Sequence, residues 1–373
     1  MPSKVLILHN IMWSRYKAEV FSSLARKAPI EMLDLEFWHF SETEKSRASL
    51  GDVDYSKHGY KYNLLSKGHY EDLKLIKVFG FILGVALRRD VAMVVMPGYS
   101  EWHHWLLFLL LKIRGVKIGV FCDSTINDNP RSGIKEYFKE FIFRRVDSIF
   151  AYGKRSAEYV TSYGVNVNNI YEPCHAAEQI DGEIFEGSKV KNEFLYVGRM
   201  SKEKNLNILI SAWEKAGIYH DGGNLYMVGA GPEESVLKTF SESLGVGSSV
   251  IFTGSLTKKD LAERYGSAEF FVLPSLSEPW GLVVNEAMNF GCIPFVSERC
   301  GCVPELVESH DFSKSFDPEN TDDIRQVLVY GANLNPDERL IGSHKSKEIV
   351  KKFTPDGAAS EIIIGIKRGV GVI

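Results

Sequence analysis

No stretch of this sequence is apolar for long enough to cross a bilayer as a helix. The longest uninterrupted apolar run of interest, Trp105–Leu111, is far shorter than the ~20 residues that a spanning helix needs. The first ten residues hold one lysine followed by a short apolar run, which predicts a first strand and no signal peptide. We therefore expect a cytoplasmic protein.

Cysteine is also scarce. The five cysteines are odd in number and contain no Cys-x-x-Cys pair, which argues against a disulfide framework or a zinc site. We expect buried free thiols. Low-complexity runs and internal repeats are absent as well.

The net charge is small, −4, and it is unevenly spread. Residues 1–175 hold 24 Lys and Arg against 19 Asp and Glu, so this half is positive and the remainder is negative. The excess is too small for a protein that binds nucleic acid, whose basic surface would dominate its domain. The asymmetry favours two units with different surroundings.

Short apolar runs rich in β-branched residues alternate with segments of helical periodicity, which predicts parallel sheets built from βαβ units. The 373 residues suggest two such domains. Predicted strands include Val5–Leu8, Val91–Met96, Lys117–Cys122, Phe194–Val197, Asn224–Val228, Val250–Phe252, Phe270–Leu273 and Ile293–Val296. The polar stretch 178–192 is predicted to be a linker. We expect domains at 1–177 and 178–355, with a last helix at about 356–373 packed back on the first domain.

The segment Ser275–Gly291 follows a predicted strand and leads into a predicted helix. Gly281 opens this helix and Gly291 closes it, so the amides at its start are free to hold an anion. Glu278 precedes the helix and Glu286 lies within it. Carboxylates accept hydrogen bonds from sugar hydroxyls, so the segment suits a diphosphate flanked by a ribose and a hexose. Two glutamates around a helix start are also common on solvated surfaces.

A second segment, Val197–Asn205, follows another predicted strand. A glycine at the strand end, Gly198, lets the backbone approach a ligand. Arg199 and Lys204 come next, and two cations near one point would neutralise a departing diphosphate. Taken alone, a lysine-rich loop is more often merely solvated.

Together, segments within residues 194–308 resemble the nucleotide-binding half of the retaining glycosyltransferases called group 1, or family 4. The segments are Gly198-Arg199-x4-Lys204-Asn205, Gly229-Ala230-Gly231-Pro232, Phe252-Thr253-Gly254, Glu278-x7-Glu286 and Ser297–Glu305. This resemblance is strong over about a third of the chain. The amino-terminal half matches only in outline.

The resemblance implies the GT-B fold, in which two Rossmann-like doubly wound α/β domains face a central cleft. It implies that Arg199 and Lys204 contact the donor diphosphate, that Glu278 lies at the donor sugar and that Glu286 lies at the ribose. The implied reaction retains the anomeric configuration. It is expected to need no metal or other cofactor, because arginine and lysine do the work of a cation.

The same resemblance assigns backbone contacts to the donor. Amides near Gly281, Leu282 and Val283 would bind phosphate or sugar oxygens. Gly229 and Thr253, in two further matched segments, would complete the nucleotide-sugar site.

The sequence departs from its relatives in three places. Gly301-Cys302 stands where many relatives have two glycines, so a cysteine there is expected to narrow the sugar pocket. The turn after the first strand, His9–Arg15, has no glycine, and Asp123 stands near the position of a histidine in many relatives. Asp123 either orients an acceptor hydroxyl, or acts as a weak base, or caps a loop or helix.

The remaining patterns concern metal binding and contact with a membrane surface. Asp52-Val53-Asp54 is an Asp-x-Asp, but no apolar strand precedes it, and we interpret it as a surface turn. The segments Leu73–Arg89 and Lys135–Arg145 are apolar and basic. Core packing explains most of these residues, and peripheral contact with the inner membrane surface is the sharper hypothesis.

The predicted reaction moves a sugar from a nucleoside-diphosphate sugar, with UDP or GDP, to a hydroxyl of a polysaccharide or lipid-linked glycan. Arg199, Lys204 and Glu278 are the predicted catalytic residues of the donor side, and Asp123 is that of the acceptor side. Two alternatives stay open: a sugar-nucleotide epimerase of similar shape, and a non-catalytic glycan-binding protein.

Overall fold

A computed structural model describes residues 3–126, 133–177 and 189–373. Its residue contacts divide the chain into two compact units. Unit 1 comprises Met1–Glu178 and Phe353–Ile373, and unit 2 comprises Gln179–Lys352. Each unit holds one parallel sheet with helices between successive strands, which confirms the predicted class of two Rossmann-like α/β domains.

Unit 1 follows the predicted βαβ alternation. Its strands are β1 (Ser3–Ile11), β2 (Leu33–Ser41), β3 (Tyr62–Leu64), β4 (Met93–Met96), β5 (Lys117–Cys122), β6 (Ser148–Ala151) and β7 (Ile170–Tyr171). Its helices are α1 (Arg15–Lys27), α2 (Leu75–Leu87), α3 (Trp102–Ile113), α4 (Ile134–Phe143), α5 (Lys154–Thr161) and, at the end of the chain, the helix Pro355–Val370.

The sheet of unit 1 has the strand order β3-β2-β1-β4-β5-β6-β7, and the pairings are parallel. All four residues of β4 are buried, as expected for a parallel strand covered on both faces. Leu6 and Val94 point into a core formed with α2, α3, α4 and α5. Val5 and Val95 point to the opposite face, where α1 and the last helix pack.

Unit 2 repeats the alternation. Its strands are β8 (Val190–Val197), β9 (Asn224–Val228), β10 (Val250–Gly254), β11 (Ala268–Leu273), β12 (Ile293–Ser297) and β13 (Lys314–Phe316). Its helices are α6 (Leu206–Ala216), α7 (Glu234–Ser243), α8 (Lys258–Ser267), α9 (Leu282–Asn289), α10 (Thr321–Asn333) and α11 (Pro336–Val350), and the last helix of the chain is α12 (Pro355–Val370).

The sheet of unit 2 is also parallel, with the order β10-β9-β8-β11-β12-β13. Aromatic rings fill one face: Phe194, Phe270 and Phe295 stand on neighbouring strands, with ring centres 4.7 and 5.4 Å apart in succession. In both sheets the strand order reverses beside the first strand of the unit. Ligands of open parallel sheets bind beyond the carboxyl ends of the strands at such a reversal.

The helix α12 belongs to unit 1 although it follows unit 2 in the chain. Ile362 and Ile366 are buried against the sheet of unit 1. Asp356 in its first turn accepts a hydrogen bond from Ser23 of α1, and Lys27 Nζ donates to the Asp356 carbonyl at 3.0 Å.

The predicted linker 178–192 is wrong at its end, because β8 begins at Val190. Polar residues of this part are held by the sheet: the Asn192 amide donates to the Glu269 carboxylate at 2.8 Å. Residues 178–188 lie outside the described residues. The expectation of buried thiols outside any disulfide is confirmed, since none of the five cysteines forms a disulfide and all five are buried.

Candidate functional site

The loops that follow β8, β9 and β10 are joined by backbone hydrogen bonds at the carboxyl edge of the sheet. Gly198 N donates to the Val228 carbonyl at 3.0 Å, and Gly229 N donates to the Gly254 carbonyl at 2.9 Å. Gly229 has φ +122°, and a Cβ on it would lie 2.1 Å from the Gly198 carbonyl oxygen. A side chain at this position would therefore push the two loops apart.

The loop between β11 and α9 carries Glu278 and is held by the loop after β12. Gly301 N donates to the Glu278 carbonyl at 2.9 Å, and Cys302 N donates to the Trp280 carbonyl at 3.1 Å. A Cβ on Gly301 would lie 1.8 Å from the Pro279 carbonyl oxygen, so only glycine allows this approach. Cys302 is fully buried.

Lys204 and Glu278 form an ion pair in which Lys204 Nζ donates to the Glu278 carboxylate. Their side chains are only 18% and 19% exposed. The two loops are also joined through the backbone, since Leu276 N donates to the Glu203 carbonyl at 2.9 Å. Lys204 follows β8 and Glu278 follows β11, and these strands are neighbours at the reversal of strand order. The pair therefore lies where a ligand of this sheet is expected.

Asn205 fixes the position of Lys204 from the other side. It adopts a left-handed conformation, φ 57°, and ends the short turn Lys202–Lys204. Its buried amide donates to the Pro318 carbonyl at 2.6 Å. Asparagine tolerates this conformation better than most residues, and the side-chain bond ties the loop to the segment after β13.

Arg199 is exposed, and in the described part of the chain no carboxylate forms an ion pair with its guanidinium. The carboxyl group of Glu203 interacts electrostatically with both Arg199 and Lys204. Burial raises the pKa of Glu203, but the Ser201 hydroxyl and the charges of Lys204 and Arg199 outweigh burial and lower it overall. The loop after β8 is therefore a positively charged surface.

The start of α9 provides amides for an anion. Gly281 is the N-cap with φ +100°, and it offers no side-chain acceptor to the first turn. The first turn also lacks acidic residues. The amides of Leu282 and Val283 have no partner within the helix, because the first N–H groups of a helix never do. Their partial positive charge favours an anion.

Glu286 lies one turn further along α9 and is half-buried. It accepts a hydrogen bond of 2.9 Å from the hydroxyl of Tyr265, a fully buried residue of α8. Burial, and secondarily the Glu286 charge, raises the pKa of Tyr265 well above its ordinary value. The tyrosine therefore keeps its proton, and its hydroxyl donates a hydrogen bond to the carboxylate.

Thr253 lies at the end of β10, beside the loops after β8 and β9. Its hydroxyl donates to the Gly254 carbonyl at 3.0 Å, and the same carbonyl accepts from Gly229. Thr253 and Gly229 thus stand at the same edge of the sheet as Gly198. The edge combines two cations, free helix amides and two carboxylates, which can bind a diphosphate and the hydroxyl groups beside it.

The family model described as Glycosyl transferases group 1 matches residues 181–328, which contain every element of this site. This part of the chain is therefore similar to the group 1 glycosyltransferases. A sulfoquinovosyl transferase of Arabidopsis thaliana is 30% identical over 218 residues, which are 57% of this chain and 41% of that protein. The serotype-specific mannosyltransferase WbdA of Escherichia coli is 30% identical over 214 residues, 51% of this chain and 26% of that protein.

The chain thus spans less than half of the length of these curated relatives. Among solved structures, Anabaena HepE in complex with UDP and glucose aligns over 98% of this chain and 99% of its own, with a TM-score of 0.71. Its sequence identity is 14%, so this likeness concerns the fold alone.

Asp123, the acceptor-side candidate, lies in unit 1 directly after β5 and is exposed. Its carbonyl accepts a hydrogen bond from Ser156 Oγ at 3.3 Å. It belongs to the other unit from Glu278 and Lys204. Its role therefore stays a prediction.

The Asp-x-Asp segment, Asp52–Asp54, lies in unit 1 too. Asp54 caps the short turn Tyr55–Lys57, accepting from the Ser56 amide at 3.2 Å and from its hydroxyl at 2.6 Å. Within residues 3–126, 133–177 and 189–373, no three His, Cys, Asp or Glu side chains cluster as metal ligands would. Over the same residues, no helix is long and apolar enough to span a membrane.

Two features of the site have no signal in the sequence pattern. Tyr265 occupies an ordinary position of an amphipathic helix, and only the fold brings its hydroxyl to Glu286. The pairing of Lys204 with Glu278 joins residues 74 positions apart. The spacing indicated both residues separately and assigned them to different parts of the donor.

Proposed function

We propose that this protein is a retaining glycosyltransferase of family 4 that moves a sugar from a nucleoside-diphosphate sugar to a hydroxyl acceptor. The observation that carries the proposal is the Lys204–Glu278 ion pair beside the free amides of α9. A cation, a helix start and a sugar-binding carboxylate at one point suit a sugar diphosphate. The group 1 family match and the transferase names of the relatives support the reaction class.

In the proposed complex the diphosphate, of UDP or GDP, takes Lys204 away from Glu278. The phosphate oxygens bind Lys204, the exposed Arg199 and the amides of Leu282 and Val283. Glu278 then accepts hydrogen bonds from hydroxyls of the donor sugar. Because each partner of the ion pair gains a new partner, no charge is left buried and unpaired.

The nucleotide ribose is assigned to Glu286. A carboxylate can accept several hydrogen bonds, of which Tyr265 supplies one, and ribose hydroxyls are donors. Tyr265 orients the carboxylate and does not contact the nucleotide in this proposal. Gly198, Gly229 and Thr253 stand at the same edge of the sheet and complete the donor site in this proposal.

Charge neutralisation of the leaving diphosphate falls to Arg199 and Lys204, so we propose that the reaction needs no metal. Activity should persist in EDTA. Loss of activity that Mn²⁺ restores would overturn this point and direct attention to Asp52 and Asp54.

The proposed acceptor is a hydroxyl of a polysaccharide or of a lipid-linked glycan, oriented by Asp123. The hydroxyl attacks the anomeric carbon from the face that the diphosphate leaves, the glycosidic bond forms as the phosphate–sugar bond breaks, and the acceptor proton passes to a leaving phosphate oxygen. These bond changes retain the anomeric configuration, and they balance without an additional reactant.

A nucleotide-sugar panel tests the proposal. The full chain should show a higher melting temperature with one donor, and release of UDP or GDP with growth of a glycan should follow when an acceptor is added. An altered sugar nucleotide without acceptor would instead indicate an epimerase. Binding of glycans without any turnover would indicate a glycan-binding protein.

A proposed peripheral membrane contact rests on the outer face of α2. Ile76 is 80% and Leu87 is 69% exposed, and Phe79 between them is exposed as well. The helix α2 contains no acidic residue, and its only charge is a lysine. An apolar helix face accompanied by positive charge alone matches an anionic lipid surface.

Vesicles of phosphatidylcholine with phosphatidylglycerol test this contact by co-sedimentation. The double variant Ile76→Ser with Leu87→Ser should lose binding. The matched control Leu340→Ser with Ile341→Ser, at exposed positions of α11 in unit 2, should keep it. Equal binding by both variants, or a wild-type chain that stays in solution at low salt, would reject the contact. Dimerisation through α2 would be seen as a larger hydrodynamic radius that the first variant abolishes.

A further inference from the structure

Lys17, in the first turn of α1, carries the most deeply buried charge at the carboxyl edge of the sheet of unit 1. The residue is 2% exposed, and Nζ contacts no hydrogen-bond acceptor in the part of the chain that the structure describes. The ammonium lies 4.4 Å from the ring centres of both Phe121 and Tyr152. Two aromatic faces offset only part of what an ammonium loses on leaving water. A buried polar group of this kind calls for a partner.

The position of Lys17 is one where this fold binds ligands. The helix α1 follows β1, and β1 stands at the reversal of strand order between β2 and β4. Phe121 is near the carboxyl end of β5, and Tyr152 directly follows β6. Lys17 therefore holds the place in the sheet of unit 1 that the loop of Lys204 holds in unit 2.

Among the described residues, the groups around Lys17 provide no anion in contact with its ammonium. Burial lowers the pKa of Lys17 to about 8, while Cys174 and Asp123 raise it. Cys174 and His175 are buried beside it after β7, and burial raises the pKa of the thiol and lowers that of the imidazole. Among residues 3–126, 133–177 and 189–373, no carboxylate forms an ion pair with Lys17.

The start of α1 adds a second source of positive potential. Its first turn contains no acidic residue, and Ser14 at the N-cap makes no capping hydrogen bond with its side chain. The first amides of α1 thus lack a side-chain acceptor, as the helix geometry leaves them without a backbone one. Lys17 belongs to the same first turn of α1, and a desolvated ammonium and helix-start amides in one turn together favour an anion.

We propose that Lys17 and the first-turn amides of α1 bind an oxyanion carried by the acceptor, a carboxylate or a phosphate group. The oxyanion reaches the site beside the exposed Asp123, and the flexible lysine stem brings Nζ from the two rings to it. The identification of the bound molecule as the acceptor rests on the proposed function, whereas the anion site itself is argued from unit 1 alone. Lys17 is a specificity residue in this proposal, because a neutral acceptor leaves its charge unpaired.

Thermal unfolding of the full chain with three added solutes tests the site: sodium phosphate, sodium glucuronate and neutral glucose, at constant ionic strength. The wild type should gain about 3–5 °C with at least one of the two anions at saturation and nothing with glucose. Phosphate alone would identify a phosphorylated acceptor, and glucuronate alone an acidic sugar. Lys17→Met should abolish the gain, and Lys17→Arg should retain it.

Lys61→Met, at an exposed lysine of the same unit, is the matched control and should respond as the wild type does. Without anions, Lys17→Met should melt no lower than the wild type, because a desolvated charge has been removed. If Lys17→Met does not fold, Lys17→Gln carries the same test.

An equal gain in the Met variant, or no gain in the wild type with either anion, overturns the site. The assay contains no donor, so its result stands whether or not the chain transfers sugar. Transfer with a normal donor KM and no response to anions would reject the anion site alone.

Discussion

Replacing Glu278 with glutamine should tighten the binding of a nucleoside diphosphate while transfer collapses. The amide has the size of the carboxylate but cannot hold the Lys204 ammonium by charge. In the unliganded chain the two side chains neutralise each other, so a diphosphate must compete with Glu278 for Lys204. Glu278→Gln removes the competitor, and it also removes the acceptor that the donor sugar needs.

The exposure of the pair sets the size of the effect. At 18% and 19% exposed, the two side chains are less solvated than a surface pair, and we take their net interaction as about 1 kcal/mol. About 1 kcal/mol corresponds to roughly fivefold in affinity, since about 1.4 kcal/mol is tenfold. Isothermal titration with UDP and GDP should therefore give a dissociation constant about three to ten times lower in the variant. Transfer should fall about 100-fold or more.

The variant Glu203→Gln is the matched control, because it removes a carboxylate near Lys204 that does not form the ion pair. Glu203 adjoins Lys204 in the chain but accepts its hydrogen bond from Ser201. The Glu203→Gln variant should therefore change the affinity for a nucleoside diphosphate by less than about twofold. The reasoning fails if Glu278→Gln binds UDP and GDP no more tightly than the wild type, or if both variants tighten binding equally.

Three further predictions concern other parts of the chain. Tyr265→Phe should weaken nucleoside-diphosphate binding about threefold to tenfold by calorimetry, because Glu286 loses its orienting hydrogen bond; unchanged affinity would remove Glu286 from the site. Gly229→Ala should lower the free energy of unfolding by about 3 kcal/mol or more in denaturant titrations, since φ +122° and a 2.1 Å approach both oppose a Cβ; a drop below about 1 kcal/mol would contradict the close approach. Burial lowers the pKa of Lys17 to about 8, so above this pH the unfolded chain binds one proton more than the folded chain and the free energy of unfolding rises with pH. Relative to Lys17→Met, the wild type should gain about 2 kcal/mol in free energy of unfolding between about pH 7 and 9.5. Parallel stability curves of the two proteins would refute the burial of this charge.

The strands and helices around the site could be predicted because glycine and proline punctuate the sequence there. Gly198 ends β8 and Pro274 follows β11, and the predicted ends of both strands match the structure. The beginning of β8 could not be predicted, because Lys191, Asn192 and Glu193 are polar. Glu193 is buried only because Arg264 and Ser267 satisfy its carboxylate, at 2.9 and 2.7 Å.

The site residues divide in the same way. Arg199, Lys204, Glu278 and Glu286 could be recognised from their residue types at fixed spacing. Which of them contact one another depends on strand order, and that order is decided by the packing of both sheet faces. The buried Lys17 gives no signal either, because a lysine in the first turn of a helix is ordinarily solvated.

The return of α12 to unit 1 has a consequence for the order in which the chain folds during synthesis. Unit 2 is continuous in sequence, so all of its residues are translated before α12 is. Unit 1 precedes unit 2 in the sequence but lacks the cover of Ile362 and Ile366 until α12 emerges. The sheet of unit 1 therefore keeps an apolar face uncovered until α12 emerges, and a chain truncated before Pro355 would contain all of unit 2 but an incomplete unit 1.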